Sequence, residues 1–292
     1  NNLNDDSLKK TKNKSKDFSN NQQVLNANSL SDVFPKQTKY ELVQSIEKLD
    51  SWISDILSAG VFAIDTETTS LDTMSAELVG ISISIRPSEA CYIPIGHTTE
   101  PDQSKLSLTE SDIDNEDLKL EQLSREQVID KLKPILENDS ILKIGHNIKY
   151  DSKILAHYGV NITPFDDTML ISYTAAGGLH KHNLDDLAEI HLSHKTIKFK
   201  EIAGTGKAQK TFDKVNIQDA LNYAAEDADI TLKLYKQLKP RLAIEHMVSI
   251  YETLERPLIK VLKSMEETGI RVDARVLKQL SNDFSIRINE LE

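Results

Sequence analysis

Apolar strands giving way to amphipathic helices predict an α/β fold, a mixed β-sheet flanked by helices, with a short helical C-terminal extension. Three observations carry this. Short β runs crowd between residues 61 and 95, a further strand near 141 is followed by a run of helices, and beyond Pro240 two helices are expected, parted by a short extended piece at Ile270–Val272. At 292 residues, 39% hydrophobic and 28% charged, the chain can bury the core of one large domain or two small ones.

Each element follows in chain order. Residues 1–35, rich in Asn, Lys, Ser and Asp with few large apolar groups, predict a disordered linker or tail. Opening on Asn1 rather than Met, the chain reads as a piece of a longer protein. From Tyr40, the residues Leu42, Ile46, Leu49, Ile53, Ile56 and Leu57 recur at helical spacing up to Gly60, a helix stop. Val61–Ile64 is a buried strand. Val79, Ile81, Ile83 and Ile85 alternate with Gly80, Ser82 and Ser84, and Cys91–Ile95 is a third β run, so an antiparallel meander is expected. The acidic stretch from Gln103 to Glu121 lacks periodicity and reads as a surface insertion. Ser124-Arg125-Glu126-Gln127 has the capping-box pattern for a helix to about Glu137, and Ile141–Gly145 returns to strand. Asn147 is placed to cap a helix to Tyr158, closed by Gly159. Further helices are expected over Asp166–Thr174, Leu184–Leu192, Ile217–Leu238 and Tyr251–Glu267, with another starting at Asp273.

Composition excludes several functions. The formal charge of -11 is the opposite of the broad basic surface of a protein that grips duplex DNA unaided, so any nucleic-acid role needs a local site. A lysine-rich segment (Lys195, Lys198, Lys200, Lys207, Lys210, Lys214) that could steer a phosphate backbone faces only Glu201 and Asp213. One cysteine, Cys91, permits no internal disulfide and no cysteine zinc cluster. With no secretory h-region and no bilayer-length apolar run, a cytoplasmic protein without a membrane partner is expected.

Asp65-Thr66-Glu67 stands where the first strand of the meander ends. Two carboxylates one residue apart can turn toward one hard cation such as Mg²⁺ or Mn²⁺. Alone the pattern is weak, because an Asp-x-Glu arises by chance about twice in a chain this acidic. Asn147 and Asp151 share a helix face at i and i+4, and Tyr223 and Asp227 repeat that spacing around the small Ala224 and Ala225. Three such constellations in order make a solvated turn or an ordinary cap a poor account of them.

Together these residues resemble the three motifs of the DEDD exonuclease superfamily, tyrosine subclass. The surrounding text, "FAIDTETTSLD", "IGHNIKYDSKIL", "DDTMLISYTA", "HKTIKFKEIAGTGKAQKTF" and "YAAEDADITL", is similar to the bacterial DNA polymerase I family (family A), from about Val61 to Glu292. The resemblance implies a ribonuclease H-like exonuclease fold at 36–240 and the start of a polymerase domain, truncated, at 241–292. It also implies a 3′-5′ proofreading exonuclease that works with two divalent cations, Mg²⁺ or Mn²⁺, on single-stranded or frayed DNA 3′ ends. Asp65 would bridge two ions, Glu67 and Asp227 would complete one site, and Asp151 would hold the other largely through water. Tyr223 would orient the attacking water, Leu71 would wedge against the terminal base, and Asn147 would lie near the penultimate nucleotide. The polymerase domain of the full-length chain is the implied partner.

Other features carry less. His146 stands where many relatives have Gln and reads as a hydrogen-bonded neighbour. Gly204-x-Gly206-Lys207 lacks the residues of a P-loop, and His180, His182, His191 and His194 lack a zinc-ligand frame. Trp52 reads as a packing residue. Two rivals share the motifs: an exoribonuclease of the same superfamily, and a silent domain that only positions a polymerase. The intact Asp65, Glu67, Asp151, Asp227 and Tyr223 argue against silence.

Overall fold

A computed structural model describes residues 34–35, 37–98 and 120–292; the predicted tail up to residue 33 and most of the acidic stretch lie outside the described residues. Six strands form one mixed sheet: β1 (Lys39–Leu42), β2 (Val61–Thr68), β3 (Leu78–Arg86), β4 (Glu89–Pro94), β5 (Leu142–Gly145) and β6 (Phe165–Asp167), in the spatial order β1-β4-β3-β2-β5-β6. The meander β2-β3-β4 is antiparallel as expected, whereas β1 joins β4, β5 joins β2 and β6 joins β5 in parallel.

Helices cover both faces, as an α/β sheet requires. Over one face lie α1 (Ile46–Ala59), α2 (Arg125–Leu136) and α3 (Ile148–Ala156), which close over Phe62, Ile64, Ile81, Ile83 and Ile93. Then come α4 (Thr168–Ala176), α5 (Leu184–Leu192), α6 (Phe199–Ala203) and the long α7 (Ile217–Ile244). The other face is packed by α7: its Ala220, Ala224 and Ala225 meet Val79 and Tyr92, and its Leu232 meets Ala63 and Ile144. Methyl side chains let a helix axis come close to the sheet. Gly80 makes room on β3 for the ring of Tyr92 from β4, since a Cβ there would fall 2.1 Å from the Tyr92 hydroxyl oxygen.

A helical turn (Val248–Ile250) and a π turn (Tyr251–Glu255) lead into α8 (Arg256–Thr268), and α9 (Ala274–Leu291) follows from the Asp273 cap. Several local expectations differ from what forms. The strand expected over Val61–Ile64 runs on to Thr68, so Asp65 and Glu67 lie within it rather than past its end, and Asp166 belongs to β6, the helix there starting only at Thr168 behind the Asp167 cap. Tyr40–Leu42 pairs with β4 instead of opening a helix, which starts at Ile46 behind the Ser45 cap. Ser124 makes no side-chain cap bond. Asn147 sits at the N-cap position of α3 with φ 62° and no side-chain cap bond; Asp167 on β6 accepts from Ile148 N at 2.9 Å instead. Helix α7 continues through Pro240 because Leu238 and Leu242 are both buried against Tyr251, and that packing outweighs the lost hydrogen bond. Among the described residues, no helix is long and apolar enough to cross a membrane.

Candidate active site

Strand alternation places the first two carboxylates. Asp65 and Glu67 fall in phase with Ala63, whose side chain packs on Leu232 of α7, so both face the helix that carries Asp227. One carboxylate oxygen from each of Asp65, Glu67 and Asp227 lies within 4.8 Å of the others, and this is the one such cluster of potential metal ligands among the described residues. Thr66 points to the opposite layer, where α3 presents Asp151. The backbone N–H of Thr66 donates to Asp151 Oδ1 at 3.0 Å and its hydroxyl at 2.6 Å. Asp151 is therefore outside the trio but fixed to the residue between its two strand members.

Like charges crowded under cover resist ionisation. Burial, then the charges of Asp151, Glu67 and Asp227, push the Asp65 carboxyl well above its usual range. Burial and then Asp227 and Asp151 do the same to Glu67. The Asp227 carboxyl is raised by burial, Glu226 and Asp185, against a hydrogen bond from Tyr223 and the charge of Lys198 that act downward. Asp151 is pushed up to about 7 by burial, which outweighs the Thr66 bonds. Glu67 Oε1 is buried with no hydrogen-bond partner.

Tyr223 lies one helical turn before Asp227, and its ring packs edge-on to Phe199 at 6.2 Å and against Phe212 at 6.0 Å. Burial, followed by the charge of Asp227, raises its hydroxyl far beyond the ordinary phenol range, so it stays protonated. Leu71 stands 92% exposed on the turn after β2. Asp72 braces that turn through bonds from Met74 N at 3.0 Å and the Ser75 hydroxyl at 2.9 Å. Tyr150 ties the same turn to α3, donating to Ser70 O at 2.7 Å and pairing with the Thr68 hydroxyl. Asn147 is half-buried, its backbone N–H bonded to Asp167 at 3.2 Å.

Residues without an expected role settle into packing. His146 bonds Thr168 through Nδ1 at 2.8 Å, and burial lowers it to about 4. Trp52 donates to Glu41 at 3.0 Å and packs against the first core. Sequence reasoning missed Thr66 and Tyr150. The period-2 alternation of β2 was the signal that could have separated Thr66 from its neighbours.

Residues 40–243 match the sequence profile of the 3′-5′ exonuclease family. DNA polymerase I of Rhizobium leguminosarum is 42% identical over 87% of this chain and 25% of its own length, so the chain spans about a quarter of that relative. By structure, the POL domain of Pol1 from M. smegmatis in complex with DNA primer-template and dNTP aligns at TM-score 0.62 and 21% identity, over 86% of this chain and 36% of that one. Escherichia coli RNase D, an exoribonuclease involved in structured RNA processing, aligns at TM-score 0.55 and 17% identity, over 78% of this chain and 51% of that one. At these identities the structural likenesses show a shared fold, while the profile spans β2, α3 and α7, which carry the three motifs: the chain belongs to the 3′-5′ exonuclease family.

Proposed function

We propose that this chain is the proofreading part of a DNA polymerase I, hydrolysing the terminal phosphodiester of a DNA strand from its 3′ end and releasing nucleoside monophosphates. The observation that carries the reading is the convergence of Asp65, Glu67 and Asp227 within 4.8 Å, with Asp151 held alongside by Thr66. In this reading residues 36–240 are the exonuclease domain, 1–35 a linker, and 241–292 the start of the polymerase domain, acting in the cytoplasm.

The donors fit hard divalent cations. They are all carboxylate oxygens, one of them buried without a partner, in a site whose mutual repulsion a bound cation would relieve. Asp65, Glu67 and Asp227 would hold one Mg²⁺ or Mn²⁺, and Asp65 with Asp151 a second. Such ions, when bound, activate water and stabilise a leaving 3′-oxygen.

The chain's own groups do the rest. Tyr223, kept protonated, offers a hydroxyl that orients the attacking water beside Asp227. Thr66 fixes the Asp151 rotamer through two hydrogen bonds. Leu71, projecting from a braced turn, wedges against the terminal base, and Asn147 flanks the penultimate nucleotide. A wedge acts on a strand end already free of its partner, so single-stranded or frayed 3′ ends are the substrate. Similarity to DNA polymerase I supports DNA rather than RNA as the substrate in this reading. Release of mononucleotides from labelled DNA and RNA in Mn²⁺ tests the proposal: DNA turnover is expected, RNA-only turnover would support an exoribonuclease, and none would support a silent scaffold.

A further inference from the structure

The segment between α5 and α6 crosses α7 beside the carboxylates and is keyed to that helix almost residue by residue. The backbone N–H of Ile197 donates to Glu226 Oε2 at 2.6 Å, and His194 Nε2 meets Glu226 Oε1 at 2.8 Å. Phe199 packs its ring on Tyr223. Lys198 lies between these two anchors. Its ammonium is 2.7 Å from Asp185 Oδ2 and 3.3 Å from the Thr196 hydroxyl, which itself donates to Asp185.

Among the described lysine side chains of its segment, Lys198 stands apart. Lys195, Lys200, Lys210 and Lys214 are exposed, whereas the Lys198 side chain is 32% exposed and its charge reaches Asp227. A lysine held at one point of a cluster of acids is a compact charge on a flexible stem, able to change partners without moving the backbone. Its present partner can release it cheaply. Asp185 is 44% exposed and keeps the Thr196 hydroxyl, so it would be left hydrated rather than stranded.

We infer that Lys198 is a substrate-binding residue, exchanging Asp185 for a non-bridging oxygen of the nucleic-acid backbone as the strand enters the site. This rests on the exonuclease reading above. The exchange breaks no covalent bond: one anionic oxygen replaces another on the same ammonium. The segment Thr196–Phe199 thereby supplies a local positive contact in a chain whose net charge is -11.

The test uses a 5′-labelled single-stranded DNA decamer, with steady-state hydrolysis in Mn²⁺ and fluorescence anisotropy in Ca²⁺, between about 50 and 200 mM KCl. Lys198→Gln should raise KM about tenfold with a smaller change in kcat, as loss of a charge-assisted contact does. It should also flatten the dependence of log affinity on log salt by about 0.7, the value of one phosphate contact on a single strand. Lys198→Arg should restore the slope, and Asp185→Asn should keep it. An unchanged slope in Lys198→Gln, or equal losses in Lys198→Gln and Asp185→Asn, would make the pair structural and overturn the inference. Absence of hydrolysis by the wild type would instead overturn the exonuclease reading, while the anisotropy slopes would still decide Lys198.

Discussion

Two groups of acids around this sheet are treated in opposite ways. Asp166 in the middle of β6 is fully compensated: Tyr251 and Arg256 reach Oδ1 at 3.0 and 3.1 Å, and Tyr235 and Lys239 reach Oδ2 at 3.0 and 2.9 Å. Asp65, Glu67 and Asp227 face one another, and one of their oxygens has no partner at all. A carboxylate with its lone pairs filled works as a fastener, here clamping the turn after α7 to the sheet. Carboxylates that face one another instead repel, and that repulsion is carried at the expense of stability.

Removing one member from each group should have opposite consequences. Asp65→Ala, alone or with Glu67→Ala, should lower nuclease activity by about a thousandfold or more, since the ligand set underlies both water activation and charge stabilisation. Residual activity within tenfold of the wild type, in a labelled-DNA assay, would remove the carboxylates from the mechanism. Asp166→Ala should act on the fold, costing about 3 kcal/mol because two cations and the buried Tyr251 hydroxyl lose their shared acceptor. Urea unfolding reads it; a loss below about 1 kcal/mol would mean that water replaces the clamp.

These two groups were not equally legible in the sequence. Asp65, Glu67, Asp151, Tyr223 and Asp227 could be singled out because their spacings are local, two residues along a strand or four along a helix. Helix α5 was readable to the residue for the same reason, with Asn183 accepting from Asp186 N at 2.8 Å. The Asp166 clamp joins residues 69 to 90 positions apart, and no periodicity records it. Nor does any local signal say that Asp167 bonds the first amides of α3 from another element. At Tyr40–Leu42 local spacing was misleading: the apolar residues fit a helix, but pairing with β4 decides the backbone.

Within the carboxylate group, Tyr223→Phe should be milder than loss of a ligand. It deletes one orienting hydroxyl and leaves the ring packed on Phe199 and Phe212, so kcat should fall by about a hundredfold with KM little changed. A neutral result would leave Tyr223 as packing. Binding of Mn²⁺ to the folded site should raise stability by about 2.7 kcal/mol at a free concentration 100 times the dissociation constant. Asp65→Asn should melt no lower than the wild type in EDTA and gain less from Mn²⁺. Equal metal-induced shifts in the two proteins would place the ion elsewhere.

The smallest effect is a pH dependence in the acids beside the two groups. In metal-free protein Asp151 titrates at about 7. Asp167, where burial exceeds the help of its backbone bonds, titrates at about 6. An unfolded Asp titrates near about 3.9, so across this window the folded chain binds more protons than the unfolded one. A raised carboxyl contributes stability that is full below the unfolded value and is lost as pH rises through the folded one. In EDTA the wild type should therefore lose stability relative to Asp151→Asn between about pH 4 and 7, by about 1–2 kcal/mol because neighbouring carboxyls share the protons. Mg²⁺ should reverse the trend, since cation binding competes with protonation and strengthens as the carboxylates ionise. Parallel stability curves for the two proteins in EDTA would show that Asp151 is ionised throughout and that Thr66 alone satisfies it.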